Sequence, residues 1–261
     1  MPTELQSPLQ PHARWTAAGA DIVLQHVGRT YHPHPGVDVQ ALAGISLRAA
    51  DGELVAVVGP SGCGKSTLLE LLCGLQCPDD GSIECPPAVL MPQRDLLLAW
   101  LSALDNAALA LRIAGLSRAQ ARARAGALFV ELGLDGFQNA RPHELSGGMR
   151  QRVAFLRTLL AGKPVLCLDE PFGALDAITR AEMQDWLAGT LAREPHTVVL
   201  VTHDVEEAVL LADRIVVLSA RPGRVIAELE VEIERPRVRT DPEVSALREQ
   251  ALGALGMGVR R

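Results

Sequence analysis

The consecutive residues Gly59-Pro60-Ser61-Gly62-Cys63-Gly64-Lys65-Ser66-Thr67 fit the spacing G-x-x-x-x-G-K-[ST] and constrain the chain more than any other stretch. The spacing carries meaning only between a strand and a helix, and both flanks are present. Leu54-Val55-Ala56-Val57-Val58 is a short apolar run of the kind buried on both faces of a parallel sheet. Leu68, Leu69, Leu71, Leu72 and Leu75 follow at helical spacing. Glycines let a backbone approach phosphate oxygens with no Cβ in the way, and amides at a helix N-terminus point at anions. The stretch therefore reads as a phosphate cradle, in which Lys65 reaches the β- and γ-phosphates of a nucleotide and the Ser66 hydroxyl ligates Mg²⁺. The chain uses arginine 23 times and lysine twice, so a compact ammonium at the cradle stands against a general preference for guanidinium.

With 261 residues, 48% of them hydrophobic and 21% charged, the chain can bury a full globular core. A net charge of −6 argues against a nucleic-acid surface. The one basic stretch, Arg118, Arg122 and Arg124, reads as a solvated helix face. No apolar run reaches the roughly 18 residues of a membrane span, and the N-terminus lacks the apolar core of a signal peptide. The expectation is a soluble chain that stays in the cytoplasm. Cysteines at positions 63, 73, 77, 85 and 167 fit neither a disulfide framework nor zinc spacing, and read as reduced, mostly core residues. Cys63 has two readings: a reactive thiol, because a helix N-terminus favours the thiolate, and a buried, inert one, which is the more cautious expectation.

Residues 1–20 are rich in Pro, Gln and Ala and read as a disordered tail, with order beginning near Asp21. Ile22 to Tyr31 and Val39 to Arg48 suit two strands around a loop from Pro33 to Gly36. Tyr31, the only tyrosine, falls where a ring could stack on adenine. Gly81-Ser82-Ile83 and Ala88 to Met91 read as short strands, and from Leu96 to Pro142 the pattern turns wholly helical. Strand patterns return at Val165 to Leu168, Thr197 to Thr202 and Arg214 to Leu218, separated by helices over Thr179 to Leu191 and Val205 to Leu211. That alternation predicts an α/β fold with a mostly parallel sheet. Val225 to Ile233 alternates as an edge strand, and a helix is expected near Val244 to Leu255.

The apolar run Val165 to Leu168 delivers Asp169 and Glu170 to the C-terminal end of a strand, where open α/β sheets bind ligands. There Asp169 can hold Mg²⁺ and Glu170 can act as general base toward an attacking water. Leu145-Ser146-Gly147-Gly148-Met149 opens a helix with Ser146 as N-cap and exposes glycine amides, a second anion site.

Taken in order, Gly59 to Thr67, Gln93, Leu145 to Met149, Val165 to Glu170, Ala174-Leu175-Asp176 and His203 resemble the nucleotide-binding subunit of an ATP-binding cassette (ABC) transporter over roughly residues 21–235. The resemblance implies a P-loop ATPase with an N-terminal antiparallel β-subdomain, a helical signature subdomain at about residues 95–160, and a C-terminal tail over residues 236–261. It implies that Tyr31 stacks on adenine, that Gln93 reaches Mg²⁺ and the attacking water, and that His203 contacts the γ-phosphate. It further implies that Ser146, Gly147, Gly148 and Met149 clasp ATP held by a second copy, with Asp176 in the loop along the seam. Met149 stands where the general signature has glutamine; the serine hydroxyl and glycine amides do the phosphate work. The segments Met149-Arg150-Gln151-Arg152, Asp169-Glu170-Pro171-Phe172-Gly173-Ala174-Leu175-Asp176 and Ser219-Ala220-Arg221-Pro222-Gly223-Arg224 together resemble the importer group for nitrate, sulfonates and taurine, and Met91 to Leu98 resembles pyrimidine-precursor importers. Implied partners are a second ATPase subunit, two membrane-spanning permease subunits and a periplasmic or extracellular solute-binding protein, with the chain peripheral on the cytoplasmic face of the inner membrane. The competing readings are a soluble ABC-type ATPase of DNA repair or translation, and a small-molecule kinase or GTPase; the latter leaves the serine-glycine-glycine turn and His203 without a role.

Overall fold

The computed structural model describes residues 21–34, 36–193 and 195–256. The expected tail over residues 1–20 lies outside them, as does the end of the C-terminal tail.

Strand β3, Leu54–Val58, is the centre of the molecule: every one of its residues is buried. Successive side chains of a strand face opposite ways. Leu54, Ala56 and Val58 accordingly join one core and Val55 and Val57 the other. Strand β3 pairs in parallel with β7, Thr197–Thr202, on one side and with β8, Arg214–Leu218, on the other. Outward from β7 come β6, Val165–Asp169, and β5, Ala88–Met91, both parallel. Outward from β8 comes β9, Val225–Glu230, which is antiparallel and alternates between exposed and half-buried, as an edge strand open to solvent on one face should.

A second, antiparallel sheet has the order β2-β1-β4. Its strands β1, Ile22–His34, and β2, Val37–Ala49, run closer together than the expected Pro33 to Gly36 loop allowed. Gly36 sits at φ +79°, so the chain reverses tightly there and Pro33 and His34 stay in the strand. Strand β4, Asp80–Glu84, lies on the far side of β1.

Helix α1, Lys65–Leu72, follows the glycine loop and buries Leu68, Leu69, Leu71 and Leu72 in the core that also receives the inner face of the antiparallel sheet. Leu75 departs from the expectation. The helix ends at Leu72, and Leu75 lies beyond it, exposed.

The helical stretch resolves into α2, Ala103–Ala107, α3, Leu109–Ile113, α4, Arg118–Glu131, and α5, Gly147–Leu159. Arg118 and Arg122 are not a simple solvated face. The Arg118 guanidinium lies 2.7 Å from the Asp105 carboxylate, the Arg122 guanidinium 3.0 Å from it, and Asp105 is buried. Ser102 adds a hydroxyl at 2.9 Å. The hydrogen bond from Arg118 is the main reason the Asp105 carboxyl sits well below the usual carboxylate range.

Helix α6, Ala177–Arg193, precedes β7, and α7, Val205–Leu211, links β7 to β8. Helix α8, Pro242–Ala254, buries Val244 and Ala251 in the core that also holds Val205, Ala208 and Val209 of α7. Arg237 fastens the start of this C-terminal segment by donating to the carbonyls of Val209, Ala212, Val231 and Ile233.

Candidate functional site

Two glycines of the loop leave no space for a side chain, so its backbone packs close against its neighbours. A Cβ on Gly59 would lie 2.9 Å from the Cys63 sulfur and 3.1 Å from the Leu218 carbonyl. One on Gly64, whose φ is +102°, would lie 2.6 Å from Leu42 and 2.8 Å from the Ala41 carbonyl. Gly62 is also left-handed, at φ +76°. Lys65 is buried, and its ammonium donates to the carbonyls of Gly59 at 2.7 Å and Pro60 at 3.1 Å, so it is held inside the loop.

A cleft beside the loop has a volume of about 390 Å³, and its walls include Tyr31, Ser61, Lys65, Ser66, Thr67, Gln93, Asp169, Glu170 and Arg221. Tyr31, at the strand edge, exchanges a hydrogen bond with Thr67 at 3.1 Å and accepts one from Gln76 at 2.8 Å. Its ring has one face under the Arg29 guanidinium, at 5.3 Å. Strand β6 carries Asp169 to the floor of the cleft, buried. Burial pushes the Asp169 carboxyl up, against the Ser66 hydroxyl and the Lys65 ammonium, which favour the charged form. The buried Asp169 carboxylate and the Ser66 hydroxyl that hydrogen-bonds it are hard oxygen donors suited to Mg²⁺. No group of three His, Cys, Asp or Glu side chains among the described residues is arranged to hold a metal without further donors.

Glu170 follows at φ +46°, and this left-handed turn directs its carboxylate out of the sheet. Two groups meet it there. Gln93 Nε2 donates to one oxygen at 2.9 Å, and His203 Nδ1 lies 3.1 Å from the other. Glu170 itself donates its amide to the Val201 carbonyl at 2.8 Å. Three positions far apart in sequence thus meet at one carboxylate.

Ser146, Gly147, Gly148 and Met149 stand apart from this group and do not line the Lys65 cleft. Ser146 caps α5 by accepting from the Met149 amide at 3.2 Å, and Ser146 and Gly147 are exposed. A Cβ on Gly148 would lie 3.2 Å from Leu175, so the signature turn packs against the segment that leads to Asp176. Asp176 accepts from the amides of Ile178 and Thr179, both at 3.1 Å, at the start of α6.

Of the two readings of Cys63, the structure favours the buried, inert thiol over the reactive one. Its side chain is buried, and burial pushes the thiol up, outweighing the Lys65 ammonium. The helix N-terminus is present, but the sulfur faces the core beneath Gly59.

Several contributors were not foreseen. Asp95, beside Gln93, is gripped by α5: Arg150 donates to its carboxylate at 3.0 Å, and Arg157 donates to the carbonyls of Asp95 and Leu96 at 2.7 and 2.9 Å. Arg180 donates to the Leu175 carbonyl at 3.1 Å and lies 3.7 Å from Asp204, next to His203. A second cleft of about 420 Å³ joins Gln93, Asp95 and Leu97 to Gly147, Arg150 and Ala174. None of these pairings has a local sequence signal, although the density of arginine in α5 was visible.

A glycine-wrapped lysine, a paired Asp-Glu strand end, and a glutamine and histidine on that glutamate define an ATP-binding cassette, and the chain belongs to the ABC transporter family, whose model matches residues 42–173. Among its relatives, the taurine import ATP-binding protein of Chromobacterium violaceum is 43% identical over 84% of this chain and 90% of its own length. An aliphatic sulfonates import ATP-binding protein of Rhodococcus jostii is 43% identical over 91% of this chain and 93% of its own. The formylaminopyrimidine import ATP-binding protein of Halalkalibacterium halodurans is 41% identical over 83% and 87%. A solved structure of a dimeric post-hydrolysis ATP-binding cassette bound to ADP and Pi superposes with a TM-score of 0.74 at 30% identity, covering 82% of this chain and all of that one. The fold is that of these cassettes, with mixed but mostly parallel central sheet, antiparallel β-sheet and helical subdomain.

Proposed function

We propose that the protein is the ATP-binding and ATP-hydrolysing subunit of an importer for a small solute. The observation that carries this reading is the Glu170 carboxylate, held by Gln93 and His203 at the cleft that Lys65 lines. With ATP in the cleft, adenine stacks on Tyr31 and the backbone from Gly59 to Thr67 wraps the phosphates. Lys65 exchanges its carbonyl partners for phosphate oxygens. Glu170 takes a proton from the attacking water, while Gln93 and His203 each fix one of its oxygens and so fix its direction. Ser66, Asp169 and Gln93 would hold Mg²⁺, which offsets the charge on the phosphates.

The cleft is open on the side of the γ-phosphate, and each chain displays an unused anion site at Ser146 to Gly148. Two copies placed head to tail would use both, with the seam lined by Asp176. Cleavage then removes charge-assisted contacts across the seam and releases the copies from each other. No helix among the described residues is long and apolar enough to cross a membrane. The solute's path therefore belongs, in this reading, to two permease subunits, served by a solute-binding protein, with this chain peripheral on the cytoplasmic face of the inner membrane. Trp100 and Ile113, at 71% and 80% exposure, flank the surface near residues 95–115 where a cytoplasmic helix of a permease would dock. The imports named for the relatives, of taurine, sulfonates and a formylaminopyrimidine, support a solute that is small, polar and heteroatom-rich.

Glu170→Gln tests the reading, since it removes the base and keeps the shape. In Mg²⁺ and ATP this variant should elute as a dimer that Ser146→Ala prevents, and the wild-type chain should co-purify with membrane permeases. A Glu170→Gln chain that stays monomeric with saturating ATP contradicts the head-to-tail arrangement.

A further inference from the structure

The cleft contains a cation that neither the glycine loop nor the signature supplies. Arg221 lies in the segment between β8 and β9, distant in sequence from Lys65, Asp169 and Glu170. It lines the cleft together with Lys65, Ser66, Thr67 and Glu170. Its Nε donates to the Gly62 carbonyl at 3.1 Å, and the other end of the guanidinium comes within 3.0 Å of where a Cβ on Gly62 would stand. That Gly62 is glycine leaves room for the guanidinium against the loop. Among the described residues Arg221 pairs with no carboxylate, and its side chain is exposed. An arginine whose only partner is a backbone carbonyl, at the edge of an anion cradle, has most of its donors free.

The segment that bears it is built to hold it there. Ser219 and Arg224 close a turn through Ser219 N to the Arg224 carbonyl at 2.9 Å, and the Arg224 amide donates to the Ser219 hydroxyl at 3.0 Å. Gly223 donates to the Ala41 carbonyl at 2.8 Å and accepts from the Ala43 amide at 3.0 Å, which locks the turn to β2. The turn also lies against the phosphate loop itself, because a Cβ on Gly223 would come within 2.3 Å of the Cys63 carbonyl. The Arg221 main chain is therefore fixed relative to the cradle, and only its guanidinium needs to turn.

We propose that Arg221 is a second phosphate-binding cation of the nucleotide site, contacting the polyphosphate of ATP in cis alongside Lys65. The proposal rests on the ATP-binding reading of the cleft. Planar guanidinium groups pair with phosphate oxygens through two parallel donors, and the pairing is charge-assisted. Arg221 thereby answers the two carboxylates, Asp169 and Glu170, that face the same cleft.

The test measures affinities of the purified chain for ATP, ADP and adenosine in wild type, Arg221→Ala, Arg221→Lys and Arg221→Gln, at two salt concentrations. Wild-type protein that binds no ATP defeats the reading of the cleft itself, which is a separate failure. Given wild-type binding, Arg221→Ala should weaken ATP and ADP by about tenfold, leave adenosine unchanged and flatten the salt dependence of ATP binding. Arg221→Lys restores a charge and should recover part of the affinity. Arg221→Gln restores a donor for the Gly62 carbonyl without a charge and should recover none. Equal affinities in all variants, or recovery by Gln in place of Lys, overturns the proposal; the second outcome assigns Arg221 to bracing the loop alone.

Discussion

Glu207 is a buried carboxyl with one oxygen unpartnered, and the chain should be relieved by its neutralisation. It lies on α7 at 4% exposure; one oxygen accepts from the Thr202 hydroxyl at 3.3 Å, and the other has no hydrogen-bond partner among the described residues. Burial, followed by the Asp204 carboxylate, pushes its pKa up from the ordinary 4.5 to about 8. Folded protein therefore holds a proton on Glu207 that the unfolded chain has released between those values. The stabilising contribution is full below about 4.5 and is lost as pH rises through about 8. At ~1.4 kcal/mol per tenfold change, the full displacement corresponds to about 5 kcal/mol. That is a large share of the roughly 5–15 kcal/mol by which domains are stable, so relaxation around the charged group should reduce it to about 3 kcal/mol. Glu207→Gln keeps the shape and an acceptor for Thr202, and carries no proton to lose. Urea unfolding of both proteins between about pH 5 and about pH 9 should show the variant gaining on wild type as pH rises, by about 3 kcal/mol across the range. A difference between the two that stays constant across that range refutes the reasoning, because it would mean that Glu207 is already ionised in the folded protein as it is in the unfolded chain.

Native-state alkylation should label the exposed Cys77 first and leave Cys63, Cys85 and Cys167 unmodified, since burial pushes Cys85 to about 12 and raises Cys63, while a hydrogen bond with Cys73, followed by burial, raises Cys167. Peptide mass spectrometry of the labelled protein checks this, and labelling of Cys63 that ATP suppresses would restore the reactive thiol. Gly223→Ala places a Cβ 2.3 Å from the Cys63 carbonyl and should displace the phosphate loop, lowering ATP affinity tenfold or more and costing about 2 kcal/mol of stability. Gly36→Ala serves as its control: nothing lies within 4 Å of the added carbon, and the φ of +79° alone should cost about 1 kcal/mol without touching nucleotide affinity measured by titration.

What the sequence made legible was whatever depends on neighbours within a few residues. The apolar run at Val55 to Val58, the glycines around Lys65 and the Ser146 cap each carry their meaning locally, and each element formed where its pattern stands. Helix α7 begins and ends at Val205 and Leu211, where the spacing put it. The missed features depend on residues far apart in the chain. Arg150 and Arg157 reach Asp95 and Leu96 across 55 to 62 positions, and Arg221 meets Gly62 across 159. Arg118 and Arg122 were misread for a related reason: helical periodicity reports which residues share a face, and says nothing of a buried Asp105 arriving opposite it. Cys63 shows the limit of a local rule, because helix polarity favoured the thiolate while the core decided its solvation.

The placement of β3 between β7 and β8 has a consequence for how the protein is made. The phosphate loop leaves the ribosome early, but the strands that flank it, the histidine at the end of one and the arginine beyond the other arrive only after more than a hundred further residues. Until Thr202 has emerged the central strand has no neighbour in its sheet, and until Leu218 has emerged it has only one. A nascent chain therefore carries its nucleotide motif long before the strands that flank it exist, with part of the apolar surface of β3 uncovered in the interval.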